Sequence, residues 1–284
     1  MVLAAGYGTR LKPLTDALPK PLVPVAGRPM IDYALEKLQA YGVREIVINV
    51  SHLKDQLVAH LASRKSLSIQ ISEEAEPLET GGGLKKAQSL LGNEPVFVIN
   101  SDIIWTDESP SPAGAGEGGG RPDEERGVEN ESHSRGEVAG FGKHPTSNIQ
   151  HPTSNKVPIE TSSRGETALT RLARHWDDDK MDFLLLAQSK ARAVGHDKGE
   201  DHLFIKRENT IDWNDADAPY IIAGIGIFHP RVLAAAPDGK FSVKILWHQA
   251  LAQNRLFCLP HHGRWFQTGT IEDIKKAEEQ LKVV

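Results

Sequence analysis

The stretch Val2–Leu22, VLAAGYGTRLKPLTDALPKPL, constrains this chain more than any other. An apolar run ends abruptly in two close glycines, Gly6 and Gly8, and Arg10, Lys12 and Lys20 then stand among three prolines. An apolar run cut by glycine reads as a buried strand feeding a tight loop. Without a Cβ, the backbone at Gly6 and Gly8 can bend sharply and come close to a bound group. Backbone N–H groups in such a loop, with Arg and Lys beside them, suit a phosphate chain. The plainer reading of the same residues is a strand and turn with solvated basic side chains. A Walker loop is excluded, because no Gly-Lys followed by Ser or Thr is present. A dinucleotide fingerprint needs a third glycine where Leu11 stands, and a helix at once. Pro13, Pro19 and Pro21 prevent a regular helix over most of the stretch.

The rest of the composition narrows the class. A chain of 284 residues fits one globular domain, or one with additions. The formal net charge of −5 gives no electrostatic basis for binding nucleic acid or an acidic membrane surface. The single cysteine, Cys258, excludes internal disulfides and cysteine-based metal sites, and it reads as a buried, inert thiol. No apolar run approaches the roughly 20 residues that span a bilayer, and no signal-peptide pattern opens the chain. A soluble cytoplasmic enzyme is the expectation.

Hydrophobic periodicity predicts the layout. Pro29 precedes a helix whose stripe is Ile31, Ala34, Leu35, Leu38 and Tyr41, stopped by Gly42. Strands are expected at 44–50 and 67–72 around a short amphipathic helix at 53–63. This alternation argues for right-handed βαβ units and a mainly parallel sheet. Ligands of such sheets bind beyond the carboxyl ends of the strands, where the Gly6 loop would lie. The segment Glu76–Lys86, EPLETGGGLKK, places three glycines before an expected helix ending near Leu91. Such a run is expensive in chain entropy; it makes sense if a flat ligand lies against bare backbone, with Glu79 and Thr80 at the same edge. The strand 95–102, PVFVINSD, ends in Asp102, a hard oxygen ligand of the kind Mg²⁺ takes together with substrate phosphates.

From about 108 to 165 the character changes. Gly, Pro, Ser, Glu and Arg dominate, and the pentapeptide HPTSN occurs twice, at 144–148 and 151–155. This stretch cannot bury enough apolar surface to offset its conformational entropy, so it reads as a long disordered insertion. Order is expected to resume with a helix through Leu169, Leu172 and Trp176, then strands at 181–188, 202–206, 220–229 and 256–259. A helix is expected at 241–254 with Ser242 as cap. GRWFQTGT at 263–270 leads into a last helix, 271–281, with Asp273 stabilising its positive end.

The opening stretch resembles the signature of sugar-1-phosphate nucleotidyltransferases, LAAG-x-G-x-R-L-x-P-L-T followed by PKP. The resemblance extends over essentially everything outside 108–165. It implies one nucleotidyltransferase domain over 1–284, interrupted at 108–165, with an α/β fold of three layers around a Rossmann-like, mainly parallel sheet. It implies transfer of a nucleotidyl group from an NTP to a sugar 1-phosphate, with Mg²⁺ as cofactor. In that scheme Leu3, Ala4, Ala5, Gly6, Gly8 and Thr9 bind the nucleotide, with Gly6, Gly8 and Thr9 cradling its phosphates. Arg10 holds the leaving pyrophosphate and Lys20 the α-phosphate. Glu79, Thr80, Gly81 and Gly82 hold the nucleobase and ribose, while Asn100 and Gly224 contact the sugar. Asp102 matches the family's metal-binding acid, with Ser101 where Gly is usual.

The chain also departs from the family. The second metal position, Asp in W-x-D-x-G-T, is Gln267 here. The Glu-Lys-Pro element that many relatives use on the sugar phosphate is missing, leaving Lys190, Arg192 and Lys198 as the nearest basic residues. His261 and His262 read as surface histidines more readily than as metal ligands. Members also carry a few residues before the first strand, so a truncated or late start fits the opening at Val2. The resemblance is closest to N-acetylmuramate-1-phosphate uridylyltransferases and to mannose- or heptose-1-phosphate guanylyltransferases, so UTP and GTP both stay open. Three other readings compete. A non-catalytic nucleotide-binding paralogue is suggested by Gln267. A sugar transferase would want a D-x-D pair where Ile103 and Ile104 follow Asp102, and a dehydrogenase lacks its third glycine.

Overall fold

The computed structural model describes residues 1–107, 166–196, 202–205, 209–213 and 218–282. The stretch 108–165, with both HPTSN copies, lies outside them, as do Lys198 and Lys206.

The apolar runs form strands and the striped segments form helices. In the first half these are β1 (Val2–Leu3), α1 (Leu14–Ala17), β2 (Pro24–Val25), β3 (Arg28–Pro29), α2 (Met30–Tyr41) and β4 (Glu45–Val50). Then come α3 (Lys54–Ala62), β5 (Ser68–Glu73), α4 (Glu79–Lys86), α5 (Gln88–Leu91), β6 (Val96–Asn100) and β7 (Ile103–Trp105). After 165 follow α6 (Ala168–His175), β8 (Phe183–Ser189), β9 (Ala193–Val194), β10 (His202–Ile205), β11 (Ile211–Trp213) and β12 (Tyr220–Phe228). The chain closes with α7 (Lys244–Ala252), β13 (Leu256–Pro260), β14 (Trp265–Gln267) and α8 (Ile271–Leu281).

The sheet runs β11-β10-β12-β6-β1-β4-β5, with β8 also on β12 and β13 on β8. Its centre, β6-β1-β4-β5, is parallel, with Val2 opposite both Ile99 and Ile48. On the other side of β6, β12 runs antiparallel. Alternation along the strands divides two cores. Ile46, Ile48, Leu184 and Leu186 pack with α2, α3 and α6. Val47, Phe183 and Leu185 pack with α4 and α7 on the opposite face. Two helical layers around one sheet therefore follow from period-2 strands buried on both sides.

A third, smaller core matters most for the site. Leu11 from the opening stretch packs with Val23, Met30, Ile104, Phe266 and Ile274. Fully burying a side chain such as Leu11 or Phe266 contributes roughly 1.5–3 kcal/mol. This cluster fastens the glycine loop to β7, β14 and α8. Gly42 ends α2 with φ 110°, and α8 opens on a capping box in which Thr270 and Asp273 bond reciprocally, a tighter role for Asp273 than the expected one at the helix's positive end.

Two elements differ from expectation. The glycine triplet is not a loop before a helix but lies inside α4, as its third to fifth residues. The helix expected over 241–254 starts only at Lys244. The backbone of Phe241 is committed elsewhere: its N–H donates to Leu78 O (3.1 Å), and its carbonyl accepts from Gly82 N (3.0 Å). Ser242 Oγ accepts from Lys244 N at 3.4 Å but is not the cap residue. Among the described residues no helix is long and apolar enough to cross a membrane.

Candidate active site

The glycine loop is held from beneath by a buried polar chain. Ala4 N donates to Asn49 Oδ1 (2.7 Å), Asn49 Nδ2 donates to Glu74 Oε1 (2.7 Å), and Leu78 N donates to Glu74 Oε2 (2.8 Å). The chain runs from the end of β1, through the ends of β4 and β5, to the start of α4. Asn49 and Glu74 are almost fully buried, so breaking one link would strand a polar group away from water. Gly8 turns the loop with φ +65°, and a Cβ there would lie 2.8 Å from Thr15 Cγ2 and 2.9 Å from Lys20 Cβ. Its carbonyl accepts from Leu11 N and from Thr15 Oγ1, both at 2.9 Å. Gly6 is different: a Cβ there would meet nothing within 4 Å.

Two cavities open along the carboxyl edge of the parallel strands. The smaller, about 190 Å³, has Ala4, Ala5, Gly6, Lys20, Glu79 and Asp102 on its wall, with Asn49 and Glu74 deeper in. The larger, about 360 Å³, is walled in part by Arg10, Phe183, Gly224, Trp265 and Gln267. Leu3, Thr80 and Asn100 belong to both. A bulge in β12 between Ile222 and Gly226 carries Gly224 at φ +68°, where a Cβ would meet Asn100 Nδ2 at 2.9 Å. The two residues expected at the sugar therefore touch. Trp265 Nε1 braces the bulge by donating to Ala223 O (2.9 Å).

Lys20 Nζ donates to Asp102 Oδ2 at 2.5 Å, with both side chains largely buried. Burial pushes the Asp102 carboxyl up, but the charge and hydrogen bond of Lys20, a backbone bond and the charge of Arg10 outweigh it. The net effect holds the carboxyl below the usual range, so it is ionised at neutral pH. Thr268 N and Oγ1 both donate to Asp102 O, at 3.0 and 2.9 Å, and Gln267 lies opposite Ile103 in the β14–β7 ladder. The two expected metal positions are thus brought to adjoining places, Asp102 on the smaller cavity and Gln267 on the larger. Among the described residues no three His, Cys, Asp or Glu side chains cluster as a ready-made metal cage. One ionised carboxylate with an amide nearby suits an ion that arrives on substrate phosphates and keeps part of its water.

Several expected residues sit elsewhere. Gly8 and Thr9 line neither cavity; Gly8 serves the turn. Gly81 and Gly82 are packed against Phe241 and Gly239, and Gly83 against Asn49 and Glu74, so protein rather than a flat ligand occupies their bare faces. Of that segment, Glu79 and Thr80 reach the cavities. Glu79 has φ +61°, an unusual conformation for a non-glycine residue. Lys190 and Arg192 are not on either wall, and Arg192 donates to His262 O and to Gly263 O (3.1 Å). His261 is a buried residue, not a surface one, and burial lowers its pKa to about 4. Cys258 is fully buried, and burial raises its thiol pKa. Sequence reasoning missed Asn49 and Glu74, although a polar residue ending the apolar run of β4 was a visible signal. It also missed His196 and Lys244 on the larger cavity, for which no local pattern exists.

A glycine loop, a buried lysine–carboxylate pair and two adjoining cavities at the edge of a parallel sheet suit a phosphorylated ligand bound beside a second one. A model of nucleotidyl transferases matches residues 1–113. The N-acetylmuramate alpha-1-phosphate uridylyltransferase of Caulobacter vibrioides is 33% identical over 289 aligned residues, covering 99% of this chain and 96% of that one. The mannose-1-phosphate guanyltransferase of Aspergillus fumigatus is 48% identical over 109 residues, 37% of this chain and 30% of its own. A putative glucose-1-phosphate thymidylyltransferase from Bacillus anthracis, solved with sucrose, shares the fold: TM-score 0.67 at 17% identity, covering 100% and 94% of the two chains. The chain belongs to the sugar-1-phosphate nucleotidyltransferase family.

Proposed function

We propose that the protein transfers the uridylyl group of UTP to N-acetylmuramate 1-phosphate, releasing pyrophosphate, in the cytoplasm where nucleoside triphosphates are made. One observation carries this choice: the similarity to the uridylyltransferase spans both halves of the chain, and so includes both cavities. The 1–284 chain acts as a single catalytic domain interrupted at 108–165.

An oxygen of the sugar phosphate attacks the α-phosphorus in line. A new P–O bond forms as the bond from the α-phosphorus to the α,β-bridging oxygen breaks, and pyrophosphate takes the electron pair. The protein's part is positioning and charge neutralisation. Backbone at Leu3, Ala4, Ala5 and Gly6 faces the nucleotide's phosphates, on a loop that Gly8 and Thr9 turn. Glu79 and Thr80 hold ribose and base at the α4 edge, which Gly81 and Gly82 allow to pack close. Lys20 stabilises charge on the α-phosphate, and Arg10 takes the pyrophosphate. Asn100 and Gly224 present the sugar. Asp102 would hold Mg²⁺ brought by the nucleotide, with Gln267 as a neutral oxygen donor, and the ion would neutralise phosphate charge. Because Gln267 adds no charge, Gln267→Asp should lower the Mg²⁺ concentration for half-maximal rate.

A second reading, guanylyl transfer to mannose or heptose 1-phosphate, is favoured by the 48% identity over the amino-terminal third. Pyrophosphate release measured over a panel of NTPs and sugar 1-phosphates separates the two. UTP with N-acetylmuramate 1-phosphate is expected to give the highest kcat/KM. A higher value for GTP with a mannose or heptose phosphate would overturn the uridylyl reading.

A further inference from the structure

The larger cavity has an unusual charge pattern for a sugar site. Its wall carries Arg10, His196 and Lys244, and no Asp or Glu among the described residues. Neutral sugars present hydroxyls that donate as readily as they accept, and carboxylates are good partners for the donors. Among the described residues the formal charges are positive, and much of the remaining wall is apolar, including Phe183, Ile221, Trp247 and Trp265.

The proposed reaction gives Arg10 to the nucleotide's phosphates, which leaves Lys244 as the remaining Lys or Arg among the described residues of that wall. Its place is fixed by the segment before α7. Val243 N donates to Thr80 Oγ1 (3.1 Å), and Thr80 stands on the wall common to both cavities. The Phe241 backbone, bonded on both sides to the start of α4, anchors that segment further. Lys190 and Arg192, the basic residues expected to serve the sugar phosphate, line neither cavity.

We infer that Lys244 reads a carboxylate on the sugar substrate, in addition to the 1-phosphate, and so selects an acidic sugar 1-phosphate over its neutral counterpart. This rests on the proposed reaction. N-acetylmuramate is N-acetylglucosamine bearing a lactyl ether, and the ether brings both a carboxylate and a methyl group. An ammonium pairs with the carboxylate in a charge-assisted hydrogen bond, and the apolar wall suits the lactyl and acetyl methyl groups.

The test compares N-acetylmuramate 1-phosphate with N-acetylglucosamine 1-phosphate, UTP being the donor, in the wild type, Lys244→Met and Lys244→Arg. The wild type is expected to favour the acidic sugar. Lys244→Met should reduce the acid-over-neutral ratio of kcat/KM by about tenfold or more, mainly through KM, while Lys244→Arg keeps most of the preference. An unchanged ratio in Lys244→Met, including an equal loss on both sugars, would mean that the lysine serves the shared phosphate or the fold, and would overturn the inference. If the methionine variant fails to fold, Lys244→Gln gives the same ratio. A wild type that favours the neutral sugar with UTP overturns both the inference and the choice of N-acetylmuramate in the parent reading, whereas an unchanged ratio in Lys244→Met beside a wild-type preference for the acidic sugar overturns the inference alone. A wild type that works instead on GTP and mannose 1-phosphate overturns the parent reading as a whole.

Discussion

Lys20 and Asp102 join at 2.5 Å the two charges that the proposed reaction uses separately, one for phosphate and one for metal. Replacing Lys20 by Met should lower kcat by roughly 10²–10³-fold at saturating substrates, the scale of losing one preorganised charge-stabilising donor. Pyrophosphate release measures it, and unchanged turnover would remove Lys20 from the chemistry. Stability should respond in a distinctive way. Lys20→Met leaves a buried carboxylate without its cation, whereas Lys20→Met with Asp102→Asn removes both charges, so the double variant should melt higher than the single. His261 supplies the pH dependence. Its folded pKa of about 4 lies below the unfolded value near 6.5, so the neutral imidazole is the native form. The associated stability is complete above about pH 6.5 and is lost as pH falls toward 4, by up to roughly 3 kcal/mol. Denaturant titrations at several pH values should therefore show a flatter slope across that window in His261→Gln than in the wild type.

The contrast between glycines belongs to the elements they sit in. In α4, a Cβ on Gly82 would drive into the Gly239 carbonyl and Leu78, neither of which is the tip of a flexible side chain. Gly82→Ala should cost about 1–3 kcal/mol by overpacking, read as a lowered melting temperature. Gly6→Ala meets nothing and needs no positive φ, so it should melt like the wild type while raising KM for the nucleotide. A normal KM in Gly6→Ala would detach that loop from the phosphates. The same contrast shows what was legible in advance. Strands β4, β6, β8 and β12 and helices α2 and α8 follow from residues close in sequence, and lie within a residue or two of their expected bounds. The opening loop and Asp102 were legible because glycine, proline and a strand-end acid act locally. The packing of Gly81 and Gly82 is not legible locally because their partners, Phe241 and Gly239, arrive from some 160 residues away. Lys244 was invisible for the same reason: a lysine before an apolar segment looks like any solvated charge until α7 docks beside the larger cavity.

At the scale of the molecule, the stretch 108–165 is the open question that a deletion can answer. Its described flanks are fastened to each other and to α2. Asp107 Oδ1 accepts from Ala168 N at 2.8 Å, while Asp107 Oδ2 pairs with Lys37 on α2. The chain therefore leaves and re-enters at one place, a gap that a short glycine–serine linker can bridge. The described members of all three apolar cores and of both cavity walls lie outside the stretch. Loop-closure entropy scales as (3/2)RT ln n, so shortening the connection about tenfold should stabilise the fold by up to about 2 kcal/mol. A variant with 108–165 replaced by about six residues is thus expected to melt at or slightly above the wild-type temperature and to keep its kcat/KM for UTP and the sugar phosphate. A lower melting temperature would show that the stretch contributes to the core and that the domain is not merely interrupted there. Normal melting with lost activity would give it a direct part at the active-site edge, since Asp102, β7 and Asp107 lead into it within six residues.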